Sequence, residues 1–177
     1  MITHQSGILR CITLRKMSAL ALLVCLAVLA AAYYLQYQYM LAACTLCILQ
    51  RIIFGAIGVT CVLGIVSKKL PVILRYIYSS LILCFSLIGA ALATRQVWLQ
   101  YFVPPDKTTS CAASLERLID LYPIFEALKI ALSGSADCAV IDFTFFGLSI
   151  AVWCLIIFAV FVISSIFAIV QIKKGRL

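Results

Sequence analysis

The sequence predicts an all-α, polytopic membrane protein, a four-helix transmembrane bundle with two external loops. Of its 177 residues, 66% are hydrophobic and only 11% are charged, so lipid is the solvent for most of the chain. Four apolar windows are each long enough to cross a hydrocarbon core, which takes roughly 20 helical residues. They cover residues 17–36, 46–66, 72–93 and 145–171 of a single transmembrane domain over 1–177, with external loops at about 37–45 and 94–144.

The first window could instead be a cleaved signal peptide. It lacks a convincing small-residue cleavage site, and it runs into a group of tyrosines that is typical of the aromatic belt at a membrane surface. We therefore predict a permanent helix. The tyrosines are Tyr33, Tyr34, Tyr37 and Tyr39.

The orientation follows from the distribution of charge. Basic residues without acids occupy the termini and the short connection between the second and third windows, so the positive-inside rule places both termini in the cytoplasm. The six acids all lie in the loop between the third and fourth windows, which then faces outside. The net charge of +8 reflects this topology and lipid-contacting basic tails, and gives little support to nucleic-acid binding. The acids are Asp106, Glu116, Asp120, Glu126, Asp137 and Asp142.

The long external loop contains an amphipathic segment. After Pro104 and Pro105, apolar residues recur at three- and four-residue spacing opposite charged ones, with an interruption at Pro123. Such a segment is expected to lie flat on the outer membrane surface. Lipid anchoring and positioning of the loop for a partner both explain it. The apolar residues are Leu115, Leu118, Ile119, Tyr122, Phe125 and Leu128.

The predicted topology sorts the nine cysteines. Cys11 lies in the cytoplasmic tail and should be reduced, and one cysteine in each helix is most simply a small buried hydrophobe. Four others face the oxidising outer compartment, where an even set indicates disulfides. The helical cysteines are Cys25, Cys61, Cys84 and Cys154, and the external ones are Cys44, Cys47, Cys111 and Cys138.

Spacing separates the external cysteines into two kinds of pair. Cys44 and Cys47 form a C-x-x-C motif at the start of the second helix, and a ring that small adds little loop-closure stabilisation, so redox or metal chemistry is its usual use. Cys111 and Cys138 lie far apart in the long loop and could be a structural staple. Zinc is a competing use of four cysteines, but the second pair lacks knuckle spacing and the only histidine, His4, is in the cytoplasmic tail.

The position of Arg51 favours a catalytic role for the C-x-x-C motif. On a helix, Cys44, Cys47 and Arg51 follow at i, i+3 and i+7 and share one face. The guanidinium and the positive end of the helix dipole should favour the Cys47 thiolate. A charge within an apolar run is usually functional, although an arginine near a helix end can also snorkel to the headgroups.

The string Cys44-Thr-Leu-Cys47-Ile-Leu-Gln-Arg51 resembles the C-x-x-C-x-x-x-R motif of the bacterial disulfide bond formation protein B family, DsbB. The resemblance covers nearly the whole chain and includes the stretch Arg95-Gln-Val-Trp-Leu-Gln100 and the segment Ser135-Ala-Asp-Cys138-Ala. Two positions depart from the pattern. Ala43 stands where the family often has proline, and Tyr101 stands where it often has histidine and could supply only a phenol hydrogen bond.

The resemblance implies a quinone-dependent thiol oxidase of the bacterial inner membrane with periplasmic redox loops. A DsbA-like thioredoxin-fold protein would attack a Cys111–Cys138 disulfide through Cys111. Cys138 would pass the reducing equivalents to the Cys44–Cys47 disulfide, and Cys47 would hand them to a quinone polarised by Arg51. The sequence leaves open whether the quinone is ubiquinone or menaquinone. The alternatives are a tetraspan scaffold with two structural disulfides and a related quinone reductase with another reductant.

Overall fold

The computed structural model describes residues 2–39, 44–66, 71–103, 123, 125–126, 136–139 and 143–174. Its helices are α1 (Ile2–Tyr39), α2 (Thr45–Val66), α3 (Val72–Phe102), α4 (Ala136–Ala139) and α5 (Ile150–Lys173). Two short strands, β1 (Thr144–Phe145) and β2 (Leu148–Ser149), precede α5. Most of the predicted amphipathic segment, residues 115–122, 124 and 127–129, lies outside the described residues.

Four of these helices are long and apolar enough to cross a membrane. The candidate spans are Arg15–Gln38, Thr45–Val66, Val72–Phe102 and Ile150–Lys173, and each overlaps one of the four apolar windows. The predicted all-α bundle of four membrane-spanning helices is thereby confirmed. The tyrosine side chains described at the end of α1, those of Tyr33, Tyr34 and Tyr37, are exposed, as an interfacial belt requires.

Several helix ends differ from those predicted. Helix α1 begins at Ile2 rather than near residue 17. Helix α3 extends to Phe102 rather than ending near Ala93, because its buried face continues through Gln96 and Leu99 at the spacing of one helix face. Hydropathy alone misses this extension, because its exposed face carries the polar residues Thr94 and Arg95.

The fourth spanning helix begins at Ile150, so the predicted start at 145 is wrong. The intervening residues form an antiparallel hairpin in which Thr144 pairs with Ser149 and Phe145 pairs with Leu148. Its two-residue turn has positive φ at both positions, 53° at Phe146 and 77° at Gly147. This is the arrangement of a type I′ turn, which glycine adopts freely and phenylalanine only with strain.

The chain divides into two compact units. One comprises Met1–Ala31, Ile53–Ile88 and Phe158–Leu177, and the other comprises Ala32–Ile52 and Gly89–Ile157. The single transmembrane domain over 1–177 stays a prediction.

Aromatic stacking between α2 and α5 forms the centre of the first unit. The Phe54 and Phe158 rings stack with centroids 4.3 Å apart, and Phe161 meets Phe54 edge-on at 6.5 Å. Phe54 and Phe158 are both fully buried. In lipid, where apolar surface gains nothing from leaving the solvent, such close van der Waals packing is a main source of helix association.

Truncating Phe54 should therefore destabilise the protein. Phe54→Ala opens a cavity on the order of 100 Å³, which at roughly 24 cal/mol per Å³ costs about 2 kcal/mol. Phe167→Ala is the matched control, because Phe167 is an exposed phenylalanine in the same unit. Thermal unfolding in detergent measures both variants, and equal melting temperatures would contradict this packing role.

Of the four helical cysteines that were predicted to be buried, three are buried and one is exposed. Cys25, Cys61 and Cys154 are buried, as expected for small apolar side chains. The prediction is wrong for Cys84, which is exposed on α3. In a spanning helix an exposed position faces lipid, where a thiol is as acceptable as in a protein core.

Candidate functional site

The C-x-x-C motif lies across the start of α2. Cys44 precedes the helix and its carbonyl oxygen accepts a hydrogen bond from Ile48 N at 3.1 Å, which makes it the N-cap residue. Cys47 lies in the first helical turn, near the positive end of the helix dipole.

The two sulfur atoms are in contact. Cys44 Sγ donates a hydrogen bond to Cys47 Sγ at 3.1 Å, so an approach of about 1 Å would bring them to the bonding distance of a disulfide. The Cys44–Cys47 disulfide itself stays a prediction.

Cys138, which is distant in sequence, also contacts the C-x-x-C motif. It lies on α4 with only 1% of its surface exposed, and its side chain hydrogen-bonds with Cys44. Hydrogen bonding to Cys138, then to Cys47, together with burial, raises the pKa of the Cys44 thiol. Cys44 therefore retains its proton at neutral pH.

Three of the four predicted redox cysteines thus meet in one unit. Cys111 lies outside the described residues, so its pairing with Cys138 stays a prediction. The Cys44 side chain hydrogen-bonds with both of the others, Cys47 and Cys138. A thiol that contacts two others can exchange disulfide bonds with either.

Arg51 lies one helical turn beyond Cys47 and is half-buried. Its Nη1 donates to Gln36 Oε1 at 2.5 Å and its Nη2 donates to the Ala32 carbonyl oxygen at 3.3 Å. The guanidinium carbon also lies 5.0 Å from the centre of the Tyr33 ring, within cation–π range. These contacts with the end of α1 fix the guanidinium in place. An arginine that only extends to the lipid headgroups would not need such contacts.

The donor set around Arg51 fits a quinone. The two hydrogen bonds to described residues use two of the five N–H groups of a guanidinium, which leaves donors for a carbonyl oxygen. The Tyr33 ring beside it is exposed and so accessible to a lipid-soluble ring. Arg51 would hold a quinone oxygen, and Cys47 would be the neighbouring thiol. Tyr101 is exposed on α3, and any hydrogen bond from its phenol to the quinone stays a prediction.

A buried amide pair also belongs to this site and was missed as a functional feature at the sequence level. Gln50 Nε2 donates to Gln96 Oε1 at 2.7 Å. Gln96 Nε2 in turn donates to Cys47 Sγ at 3.1 Å and to Cys44 Sγ at 3.7 Å. The available signal was a glutamine in each of two apolar helices, since polar residues inside spanning helices are rare and mostly functional.

The thiols should differ in reactivity. In the reduced protein near pH 7, iodoacetamide is expected to modify Cys47 before Cys44, because the raised pKa of Cys44 keeps it protonated and only the thiolate is nucleophilic. Pulse alkylation followed by mass spectrometric assignment of the modified residue measures the order. Faster modification of Cys44 would contradict this assignment of the proton.

The four spanning helices and the cluster of thiols at one helix start define a membrane protein built for thiol–disulfide exchange. The family model for "Disulfide bond formation protein DsbB" matches residues 14–168, and the chain belongs to this family. It is 41% identical over 152 residues to disulfide bond formation protein B 1 of Pseudomonas aeruginosa, covering 86% of this chain and 92% of that protein.

Further relatives carry the same name. Disulfide bond formation protein B of Marinobacter nauticus is 33% identical over 164 residues, which cover 93% of this chain and 96% of that protein. The protein of that name from Methylococcus capsulatus is 37% identical over 139 residues, which cover 78% and 84%. The family assignment makes the chain a disulfide-forming oxidoreductase of the membrane that acts with a thiol–disulfide partner protein.

Proposed function

We propose that this protein oxidises the dithiol of a soluble, DsbA-like thioredoxin-fold protein in the periplasm and reduces membrane quinone. In each turnover the partner loses two electrons and two protons and gains a disulfide. A bound quinone supplies the acceptor for both electrons and both protons and leaves as quinol. The chain itself returns to its starting state with two disulfides, Cys44–Cys47 and Cys111–Cys138.

The contact between Cys138 and Cys44 carries this proposal. The partner's first thiolate attacks Cys111 Sγ, so that a partner–Cys111 disulfide forms, the Cys111–Cys138 bond breaks and Cys138 leaves as the thiolate. The partner's second thiolate then attacks the partner–Cys111 disulfide, which releases the partner's own disulfide and the Cys111 thiolate. Cys138 then attacks Cys44 Sγ, so that the Cys44–Cys138 bond forms and the Cys44–Cys47 bond breaks. The hydrogen bond between the Cys44 and Cys138 side chains supports this order, because exchange requires the attacking sulfur to reach the sulfur under attack.

Cys47 receives the electron pair in that step. It lies on a spanning helix next to Arg51, where a lipid-soluble acceptor has access. Arg51 would orient the quinone and stabilise the negative charge that develops on its oxygen, as a fixed cation does best where water is excluded.

Reconstitution tests the proposed reaction. The purified protein in lipid nanodiscs, mixed with a reduced thioredoxin-fold dithiol protein and either ubiquinone or menaquinone, should form one quinol for each partner disulfide. The quinone absorbance and the partner's free thiols are followed together. Absence of electron transfer with both quinones would contradict the proposed reaction between the dithiol partner and membrane quinone.

The proposed orientation has its own test. In outer-membrane-permeabilised cells treated with a reductant, a membrane-impermeant maleimide should label Cys111, while Cys11 stays protected until the inner membrane is opened. Cys138 is a poor reporter because it is buried. Variants that each retain one of the two reporter cysteines give the labelling pattern, and labelling of Cys11 from outside would invert the topology.

A further inference from the structure

We propose that Gln96 is a catalytic residue that donates a hydrogen bond to the Cys47 sulfur as it leaves as a thiolate, and that Gln50 is a positioning residue that orients the Gln96 amide. The proposal rests on the proposed function, because it assigns the stabilisation of charge in the exchange between Cys138, Cys44 and Cys47.

The position of the Gln96 amide is the first observation. Its Nε2 lies 3.1 Å from Cys47 Sγ and 3.7 Å from Cys44 Sγ, so one NH₂ group reaches both members of the motif. The side chain is only 4% exposed, so neither water nor lipid headgroups compete for these hydrogen bonds. A hydrogen bond to a charged group strengthens when it is shielded from water.

The orientation of the amide is the second observation. Gln50, which is 3% exposed, directs its Nε2 at Gln96 Oε1 over 2.7 Å. The Gln96 oxygen is thereby engaged on the side away from the sulfurs, and its NH₂ group faces them. The reverse orientation would place the amide oxygen against the Cys47 thiolate, where two electron-rich atoms repel each other.

The exchange reaction creates a negative charge that the Gln96 amide can stabilise. When the Cys138 thiolate attacks Cys44 Sγ, the Cys44–Cys138 bond forms, the Cys44–Cys47 bond breaks and the electron pair stays on Cys47 Sγ. No proton is transferred in this step, so the new charge needs a hydrogen-bond donor that is already in place. Gln96 Nε2 is such a donor, because it makes the shorter of its two sulfur contacts with Cys47.

Other groups act on the same sulfur and must be kept constant in a test. Cys44, Cys138 and Arg51 all interact electrostatically with Cys47, and Cys154 on α5 does so as well. Substituting only the glutamines leaves all four of these groups in place. A change in the titration of Cys47 then reports the amide.

The competing interpretation is that the two glutamines only join α2 to α3. Interhelical hydrogen bonds of this kind stabilise membrane proteins, and loss of stability would not distinguish the two roles. The titration of Cys47 does distinguish them, because an amide that served only as an interhelical contact would not change it.

The test uses the reduced full-length protein in nanodiscs without quinone or partner, and measures the rate of Cys47 alkylation against pH. Gln96→Glu keeps the oxygen that accepts from Gln50 and replaces the donor to sulfur by a second oxygen. Gln96→Leu removes both groups. Both variants should raise the pH of half-maximal alkylation, Gln96→Leu by about one pH unit, which corresponds to a tenfold loss of thiolate stabilisation.

Gln100→Leu is the matched control. Gln100 lies one turn further along the same helix and accepts a hydrogen bond from Ser149 Oγ at 2.8 Å, so its loss should leave the alkylation profile unchanged. Gln50→Leu frees the Gln96 amide to turn and should give a smaller shift in the same direction as Gln96→Leu. An unchanged profile in Gln50→Leu would remove Gln50 from the proposal.

A second readout is the equilibrium of the Cys44–Cys47 pair with a dithiothreitol buffer. Because the donor stabilises the reduced form through its thiolate, Gln96→Leu should favour the disulfide by about tenfold at a pH where the wild-type Cys47 is ionised. Unchanged values in Gln96→Leu, or a shift confined to Gln96→Glu, would overturn the proposal.

Both measurements are independent of the acceptor and of the protein substrate. A wild-type protein that fails to reduce quinone would overturn the proposed function while the alkylation profile could still be scored. Conversely, normal quinone reduction with an unchanged profile in the Gln96 variants would overturn only the role of Gln96.

Discussion

Cys47→Ser is expected to reduce quinone-dependent oxidation of the partner to less than about one-thousandth of the wild-type rate, because a serine hydroxyl can neither form the disulfide nor leave as a stable anion at neutral pH. Cys44→Ser should have an equally large effect, since Cys44 is the sulfur that Cys138 attacks. The measurement is quinol formation by the nanodisc-embedded protein with reduced partner.

Alanine variants of the helical cysteines provide the controls for this loss. Cys84→Ala is the cleanest, because Cys84 is exposed on α3 and its removal leaves no cavity. Alanine at Cys25, Cys61 or Cys154 should also retain turnover, with some loss of stability from the space left in the packing. Turnover near the wild-type rate in Cys47→Ser would refute the assignment of the C-x-x-C motif.

Arg51 should show a graded effect on the use of quinone. In Arg51→Gln, kcat/KM for quinone is expected to fall by about 30- to 100-fold, because a charged hydrogen bond to the quinone oxygen is lost. Arg51→Lys should be intermediate, since an ammonium keeps the charge but cannot bond Gln36 and Ala32 as a planar fork does. Steady-state rates with varied quinone at fixed reduced partner give the series.

Two comparisons separate a quinone site from a membrane anchor. Exchange between Cys111 and the partner should be unchanged in Arg51→Gln, because that step precedes Cys47. Arg75→Gln, which removes another half-buried arginine from a spanning helix, should leave the kinetics with quinone unaffected. If Arg51→Gln reduces quinone like the wild type and alkylates at Cys47 with an unaltered pH profile, Arg51 serves only as an anchor.

The four spanning helices were predictable because a bilayer imposes a length and a composition that hydropathy detects directly. The ends of those helices were harder to predict. The extension of α3 to Phe102 depends on which face of the helix is buried, and the hairpin before α5 depends on positive φ at Phe146 and Gly147. Neither property contributes to the mean hydropathy of a window.

The residues of the site were predictable where a local motif carried them. Cys44, Cys47 and Arg51 are close in sequence, so helical spacing alone indicated their shared position. The contact of Cys138 with Cys44 and the position of Gln96 are tertiary features, formed by residues more than one element away. Spacing cannot supply such contacts, because many placements of a long loop satisfy the same sequence.

The boundary of α2 runs through the C-x-x-C motif, with Cys44 outside the helix and Cys47 inside it. In the proposed exchange, Cys44 changes its bonding partner and its sulfur must swing between two neighbours, which a residue at a helix cap can do by rotation about its own bonds. Cys47 gains the charge but need not move, because its backbone is held by the hydrogen bonds of the helix. Motion and charge thereby fall to different residues, and the negative charge always forms on the residue that the helix holds in place.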